Sequence, residues 1–295
     1  LIFGSSGQIG KSLIRKLTKN NYRVTAVTRS IHQKGYRIKT QSNYGYLELK
    51  ELNMFNEQNI SKLMEQSSIC INLIGILYEK KENQFNLIHS DLPSLLSKIA
   101  SKKSLKQFIH VSALGVENAI DSRYASSKLD GEKKVRENFP NAIILKPSIV
   151  YSVDDNFTTN FMSLLSLLPF MPLYHSGKTK FTPIHVSDLT NIIFDIVQKK
   201  ITGKTIECIG PEVFTFKEIL KKILKSIDKK RLLIPFPFTL AKISAKLFQL
   251  LPKPLLTMDQ LNLLKYDNIV SGKYETNFDL KMEANKKFDN EINHY

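Results

Sequence analysis

Apolar positions along this chain follow two rhythms. Short apolar runs fall at residues 1–3, 22–27, 46–49, 69–74, 107–112 and 142–149. Between them lie stretches with helical spacing, at residues 8–19, 57–65, 84–101 and 123–138. In the first of these, Ile9, Leu13, Ile14 and Leu17 share one face. Strands that alternate with helices predict an α/β fold, a doubly wound parallel sheet with helices on both faces.

The last third changes character. A strand-like run at 205–209 leads into Gly210-Pro211. Thr215 then stands three residues before Glu218, the spacing of a capping box. Amphipathic helices are expected at 238–251 and 257–266, and from Asp267 the chain turns polar and Asn-rich, which reads as a loosely held tail. The pattern divides the chain into a dinucleotide-binding core at 1–150, a smaller mixed α/β portion at 151–266 and the tail at 267–295.

The first strand runs into Gly4-Ser5-Ser6-Gly7-Gln8-Ile9-Gly10, and a helix follows. Glycines there permit a tight turn and let backbone N–H groups approach a pyrophosphate. The helix N-terminus adds a partial positive charge. The motif therefore predicts a bound nicotinamide dinucleotide. Selectivity is read at the end of the second strand, where NAD-binding proteins place an acid for the ribose hydroxyls. This chain has Val27-Thr28-Arg29-Ser30. Arg29 suits a 2′-phosphate, so NADP(H) is expected, with NAD(H) the weaker alternative.

Tyr124-Ala-Ser-Ser-Lys128 opens the helix after the fifth strand. Residues at i and i+4 share a helix face. An ammonium beside a phenol lowers its pKa, and such a pair can exchange a proton with a carbonyl or alcohol while hydride moves. Ser112, at the end of the preceding strand, is the candidate anchor for the reacting oxygen. The catalytic candidates are thus Ser112, Tyr124 and Lys128. A surface i,i+4 pair is the plainer reading of Tyr124 and Lys128.

Composition changes this picture little. Of 295 residues, 42% are hydrophobic and 24% charged, ordinary for a globular protein. The net charge of +16 raises the question of nucleic acid. The lysines are spread over every helix and no nucleic-acid module is present, which argues against it. Attraction to an acidic membrane surface stays open. No apolar run reaches the ~18 residues of a spanning helix. Cys70 and Cys208 sit in apolar runs, as buried free thiols of a reducing compartment do, and no metal site is expected. The chain opens on Leu1 within a strand, which implies residues in front of it.

Gly4, Gly7 and Gly10, Asn72-Leu-Ile-Gly75, His110-Val-Ser112, Tyr124 with Lys128, and Lys146-Pro-Ser-Ile-Val-Tyr151 together resemble the short-chain dehydrogenase/reductase superfamily. The likeness is to its extended, epimerase/dehydratase-like form and covers most of the chain. Within it, the stretch from His110 to Gly115, Ser122-Arg123-Tyr124 and Leu255-Leu-Thr-Met-Asp-Gln260 are similar to the nucleotide-binding accessory subunits of respiratory complex I and their bacterial relatives. That resemblance implies that Gly4, Ser6, Gly7, Gln8, Ile9 and Gly10 surround the pyrophosphate, with Arg29 at the adenosine phosphate. It implies Asn53 and Met54 beside the adenine, Ile74 and Gly75 along the ribose, Tyr124 and Lys128 at the nicotinamide ribose, and Pro147 and Ser148 by the nicotinamide. It further implies a cofactor held for structure, a complex I partner, and a place in the cytoplasm or mitochondrial matrix, peripheral to the inner membrane. The chain departs from the pattern at Lys146, where relatives carry Arg, and at Ser152, where extended members carry Gly. Ser112 also stands closer to Tyr124 than in sugar epimerases, which counts against a sugar-nucleotide substrate.

Other polar residues have plainer expectations: His110 a satisfied core histidine, Asp188 a helix N-cap, Asp154 and Asp155 a solvated loop. The apolar stretches 157–174 and 238–251 are expected to close over the cofactor, with a partner or membrane face, Lys242 and Lys246 on its polar side, as the alternative. Three functions remain. The first is an NADP(H)-binding accessory protein that acts by assembly, the second an active NAD(P)-dependent oxidoreductase or epimerase, and the third a basic RNA- or membrane-associated protein.

Overall fold

The alternation resolves into one sheet of eight strands, all pairs parallel. In spatial order these are β14 (Glu275–Thr276), β11 (Thr205–Cys208), β6 (Ile143–Pro147), β5 (Gln107–Val111), β4 (Ile69–Asn72), β1 (Ile2–Phe3), β2 (Val24–Thr28) and β3 (Leu47–Glu51). The computed structural model describes residues 1–43, 45–236 and 257–295. The helix expected at 238–251 lies outside the described residues, as do Leu255 and Leu256. Among the described residues, no helix is long and apolar enough to cross a membrane.

Period-2 alternation splits the core. Ile2, Ile71 and Ile109 enter one cluster, with Leu13 and Ile14 of α1 (Gln8–Lys19) and Leu189 and Ile192 of α8 (Val186–Gln198). Their neighbours Phe3, Cys70 and Phe108 enter the cluster on the opposite face, with Leu92 and Leu96 of α5 (Leu92–Lys102). The sheet is therefore covered on both sides. Cys70 and Cys208 are both buried and free. Ile2 lies opposite Ala26 on one side and Ile71 on the other, so the chain changes its direction of travel across the sheet at β1. A crevice for ligand opens at the carboxyl ends of strands beside such a switch.

Several expectations change. The helical pattern at 84–101 is interrupted: α4 (Gln84–Asn86) and α5 are joined by a π turn, Leu87–Asp91. The segment from Asp267 onward is no loose tail. β14 extends the sheet beside β11, Asn277 accepts from Ile209 N and donates to Met282 O, and Phe288 and Ile292 join the cluster of Tyr151, Leu173 and Phe216. Its apolar residues have no period of their own. They fill sites that distant parts of the chain have already shaped. Asp155 is likewise buried: it accepts N–H bonds from Ser152, Phe157 and Thr158, which satisfies amides at the start of α7 (Thr158–Leu167). Asp154 pairs with Lys11. His185, not Asp188, caps α8 through its ring; Asp188 lies in the first turn and accepts from Lys286 N.

The stretch 157–174 divides between core and surface. Leu165, Met171 and Leu173 are buried. Leu167, Leu168 and Phe170 are exposed. Phe170 belongs to β8 (Phe170–Leu173), which pairs with β13 (Leu232–Pro235), where Leu232 and Ile234 are exposed too.

Candidate functional site

The glycine turn sits at the switch between β1 and β4. Gly4 has φ +84°, and a Cβ there would lie 2.9 Å from the carbonyl carbon of Leu73. Gly7 is the N-cap of α1 and makes no side-chain capping bond, and the first turn holds no acid. Its helix-end N–H groups and dipole are thus available to an anion. A Cβ on Gly10 would lie 2.5 Å from Gly4 O, so only glycine lets the helix approach the turn this closely. Ser6 and Ile9 are half-buried in the same turn. Gln8 is committed elsewhere: its amide donates to Val150 O and accepts from Ser152 Oγ, the residue that departs from the extended pattern.

Arg29 is exposed just past β2. The next element, α2 (Ile31–Lys39), is not among those the apolar pattern predicts; its sequence signal is the cap, where Ser30 stands three residues before Gln33 and its hydroxyl accepts from Gln33 N. Between α2 and the glycine turn lies a cavity of about 320 Å³, lined by Ser6, Lys11, Gln33, Lys34, Arg37 and Ile38. Three of those six side chains are cationic. Asn53 is exposed and its side chain accepts from Phe55 N. Met54 is half-buried against the cluster around Phe3.

Tyr124 and Lys128 lie on α6 (Arg123–Asn138), which Ser122 caps. Asp259, from the helix Met258–Leu263, reinforces the cap: it accepts from Ser122 Oγ at 2.8 Å, Arg123 N at 2.6 Å and Tyr124 N at 3.2 Å. The phenol and ammonium do not help each other as expected. Burial pushes the Tyr124 hydroxyl up to about 12, and Asp259 adds to the rise. Burial pulls the Lys128 ammonium down to about 8, against the pull of Glu132. Desolvation is the larger cause at both groups, reinforced by charge at Tyr124 and opposed by it at Lys128. Lys128 Nζ donates to Val111 O at 3.2 Å and lies 3.4 Å from where a Cβ on Gly75 would stand.

The Ser112 hydroxyl donates to Glu132. Glu132 also takes Lys146 Nζ at 2.8 Å, and Lys146 pairs in addition with Glu117. Ser112 and Lys146 are thereby members of one buried ionic network. The next residue along, Ala113, packs with Tyr124 against Val116, Ala119 and Ala125. Ala113, and not Ser112, is thus the residue that shares Tyr124's cluster.

Ile74 and Gly75 follow β4 in a loop tied at two points. Ile74 N donates to Asn72 Oδ1 at 3.2 Å, and Ile76 N donates to His89 Nε2 at 3.0 Å. The Asn72 amide donates to His110 Nδ1 at 3.1 Å, so His110 carries its proton on Nε2. That buried Nε2 has no hydrogen-bond partner among the described residues, so His110 is only half satisfied. Burial lowers His89 to about 2 and His110 to about 3, and both rings are neutral in the folded protein at ordinary pH. Unfolding lets them take up protons below about 6.5, so these rings withdraw stability as the pH falls from there. Pro147 ends β6 and its carbonyl accepts from Leu114 N. Ser148 donates to Asn268 Oδ1 at 2.6 Å. The bare cradle of Gly4, Gly7 and Gly10, the reach of Lys128 over Gly75 and the orphaned His110 N–H fit a dinucleotide laid along the sheet edge.

Residues 1–254 match the NmrA-like family. The chain belongs to that family. It is 27% identical over 282 residues to the mitochondrial NADH dehydrogenase [ubiquinone] 1 alpha subcomplex subunit 9 of Arabidopsis thaliana, covering 92% of this chain and 70% of the relative. It is 25% identical over 284 residues to the mitochondrial NADH-ubiquinone oxidoreductase 40 kDa subunit of Neurospora crassa, covering 96% and 74%. Among solved structures, the UDP-glucuronic acid 4-epimerase of Bacillus cereus, held with UDP-glucuronic acid and NAD, superposes with a TM-score of 0.73 at 18% identity, covering 99% of this chain and 95% of that one. The chain thus has the Rossmann architecture of that epimerase and, in sequence, is more similar to the two complex I subunits.

Proposed function

We propose that this chain is an NADP(H)-binding protein of the complex I accessory-subunit type, in which the dinucleotide is held as part of the fold. The observation that carries the reading is the commitment of the Ser112 hydroxyl to Glu132 while Ala113 shares Tyr124's cluster. A bound nicotinamide supplies a transferable hydride. Here Gly4, Ser6, Gly7 and Gly10 hold the pyrophosphate, Ile74, Gly75, Tyr124 and Lys128 the nicotinamide ribose, and Pro147 and Ser148 flank the ring, with Asn53 and Met54 at the adenine. Tyr124, raised to about 12 and without a hydroxyl partner at Ser112, is a poor proton carrier near neutrality.

The choice of NADP(H) over NAD(H) rests on Arg29 and on the cationic cavity with Lys11, Lys34 and Arg37. Denaturing the purified protein is expected to release stoichiometric nucleotide bearing a 2′-phosphate; NAD alone would defeat the assignment. Arg29→Ala with Lys34→Ala is expected to weaken NADPH relative to NADH by roughly 10- to 100-fold, the loss of charged hydrogen bonds worth about 1.5–3 kcal/mol. The competing reading, an active oxidoreductase or epimerase, requires steady oxidation of bound NADPH by some substrate and its loss in Tyr124→Phe.

A peripheral site at an anionic inner-membrane surface, beside complex I, completes the reading. Between Asp228 and Asp259 the chain carries Lys229, Lys230, Arg231, Lys242, Lys246 and Lys253 and no acid. The exposed Leu167, Phe170, Leu232 and Ile234 adjoin the start of that stretch. Apolar contact with basic flanks is the pattern of membrane-surface binding. The protein is expected to sediment with vesicles containing cardiolipin and not with purely zwitterionic ones, and to be released as salt rises. Equal binding to both vesicle types would count against it.

A further inference from the structure

We infer that His89 is a positioning residue for the dinucleotide: it locks the Leu73–Ile76 loop to the Tyr124–Lys128 helix. The inference rests on the proposed binding of NADP(H) and adds the device that shapes the nicotinamide-ribose half of that site. The ring is completely buried in the π turn. Because Nε2 accepts from Ile76 N, Nδ1 must carry the hydrogen, and it faces Ser127 Oγ at 3.0 Å. Ser127 Oγ in turn donates to Tyr124 O at 2.8 Å. One imidazole therefore ties the loop to the first turn of α6, and the tautomer is set by chemistry on both sides.

Packing holds the ring at that point. It stacks on Phe85, with centroids 5.4 Å apart and planes at 20°, and meets Tyr124 edge-on at 5.2 Å. The π turn brings its backbone against Gly131, where a Cβ would lie 1.8 Å from His89 O. The loop it anchors is the floor of the candidate site. Its Leu73 end lies against Gly4, and its Gly75 lies beneath Lys128 Nζ. A loop free at Ile76 would shift against both the glycine turn and the ammonium.

The test compares NADPH with 2′-phospho-ADP, which reaches the glycine turn and the end of β2 but not the nicotinamide ribose. In His89→Leu, NADPH is expected to bind about tenfold more weakly, with 2′-phospho-ADP unchanged. His89→Gln, which offers an acceptor to Ile76 N and a donor to Ser127, is expected to restore most of the difference. Ser127→Ala keeps the ring and removes only its second partner, and is expected to lose about threefold for NADPH alone; it carries the test should His89→Leu not fold. Unchanged NADPH binding in His89→Leu, or in Ser127→Ala where His89→Leu does not fold, overturns the inference. So does equal loss of both ligands, or failure of His89→Gln to rescue. Wild-type protein that binds neither ligand overturns the dinucleotide reading itself, and this inference with it.

Discussion

Gly131→Ala is expected to leave little folded protein. The added methyl would stand 1.8 Å from His89 O and 2.9 Å from His89 C, both backbone atoms. Neither helix has a flexible side chain to move aside at that contact, so α6 and the π turn must separate. Overpacking in a core commonly costs about 1–3 kcal/mol and occasionally more. A backbone-on-backbone clash belongs at the upper end, about 3 kcal/mol or beyond. Gly272→Ala is the contrast. Its φ of +75° strains any L side chain, yet nothing lies within 4 Å, and about 1 kcal/mol is expected. Urea denaturation of the two variants checks the ranking. A Gly131→Ala midpoint close to wild type would show that the two helices are not in such close contact.

The second large effect is expected at Lys146, which is fully buried between Glu132 and Glu117 with its ammonium 5.3 Å from the Tyr274 ring centroid. Lys146→Met leaves Glu132 buried without its counter-ion, a change that costs about 3–5 kcal/mol. Adding Glu132→Gln should recover a good part, because an amide is far easier to bury than an unpaired carboxylate. The pH dependence has a definite sign. Burial already pushes the Glu132 carboxyl above its usual range despite Lys146. A raised carboxyl binds more protons folded than unfolded, so its contribution to stability falls as pH rises through the folded value. Removing Lys146 raises it further. The Lys146→Met defect should therefore be larger at pH 8 than at pH 5, and a defect independent of pH would refute this account of the network.

Much of the frame was legible because it is written in short-range terms. The glycine turn, the face of α1, the Thr215–Glu218 capping box and the limits of α6 depend on residues within a few positions of one another, and the structure has them where the spacing puts them. α2 was legible too, through Ser30 and Gln33, but its weak apolar face concealed it. The candidate site was legible in its parts and not in its wiring. Ser112 reads as a hydroxyl at a strand end, and nothing nearby announces that Glu132, twenty residues on, accepts its hydrogen bond. Asp155 reads as solvated because the backbone N–H groups it satisfies carry no signature of their own.

By itself the sequence determined a doubly wound sheet, a glycine cradle for a dinucleotide at its switch point, and Arg29 in place of an acid. Those follow from local chain stiffness, side-chain periodicity and the absence of Cβ atoms. Only the tertiary structure decided that Ser112 turns inward to an ionic network, that burial sets Tyr124 and Lys128 apart in their titration, that His89 ties a loop to a helix, and that the polar C-terminal segment completes the sheet. Each of these depends on desolvation or on contact between residues distant in sequence, and both are properties of the assembled core.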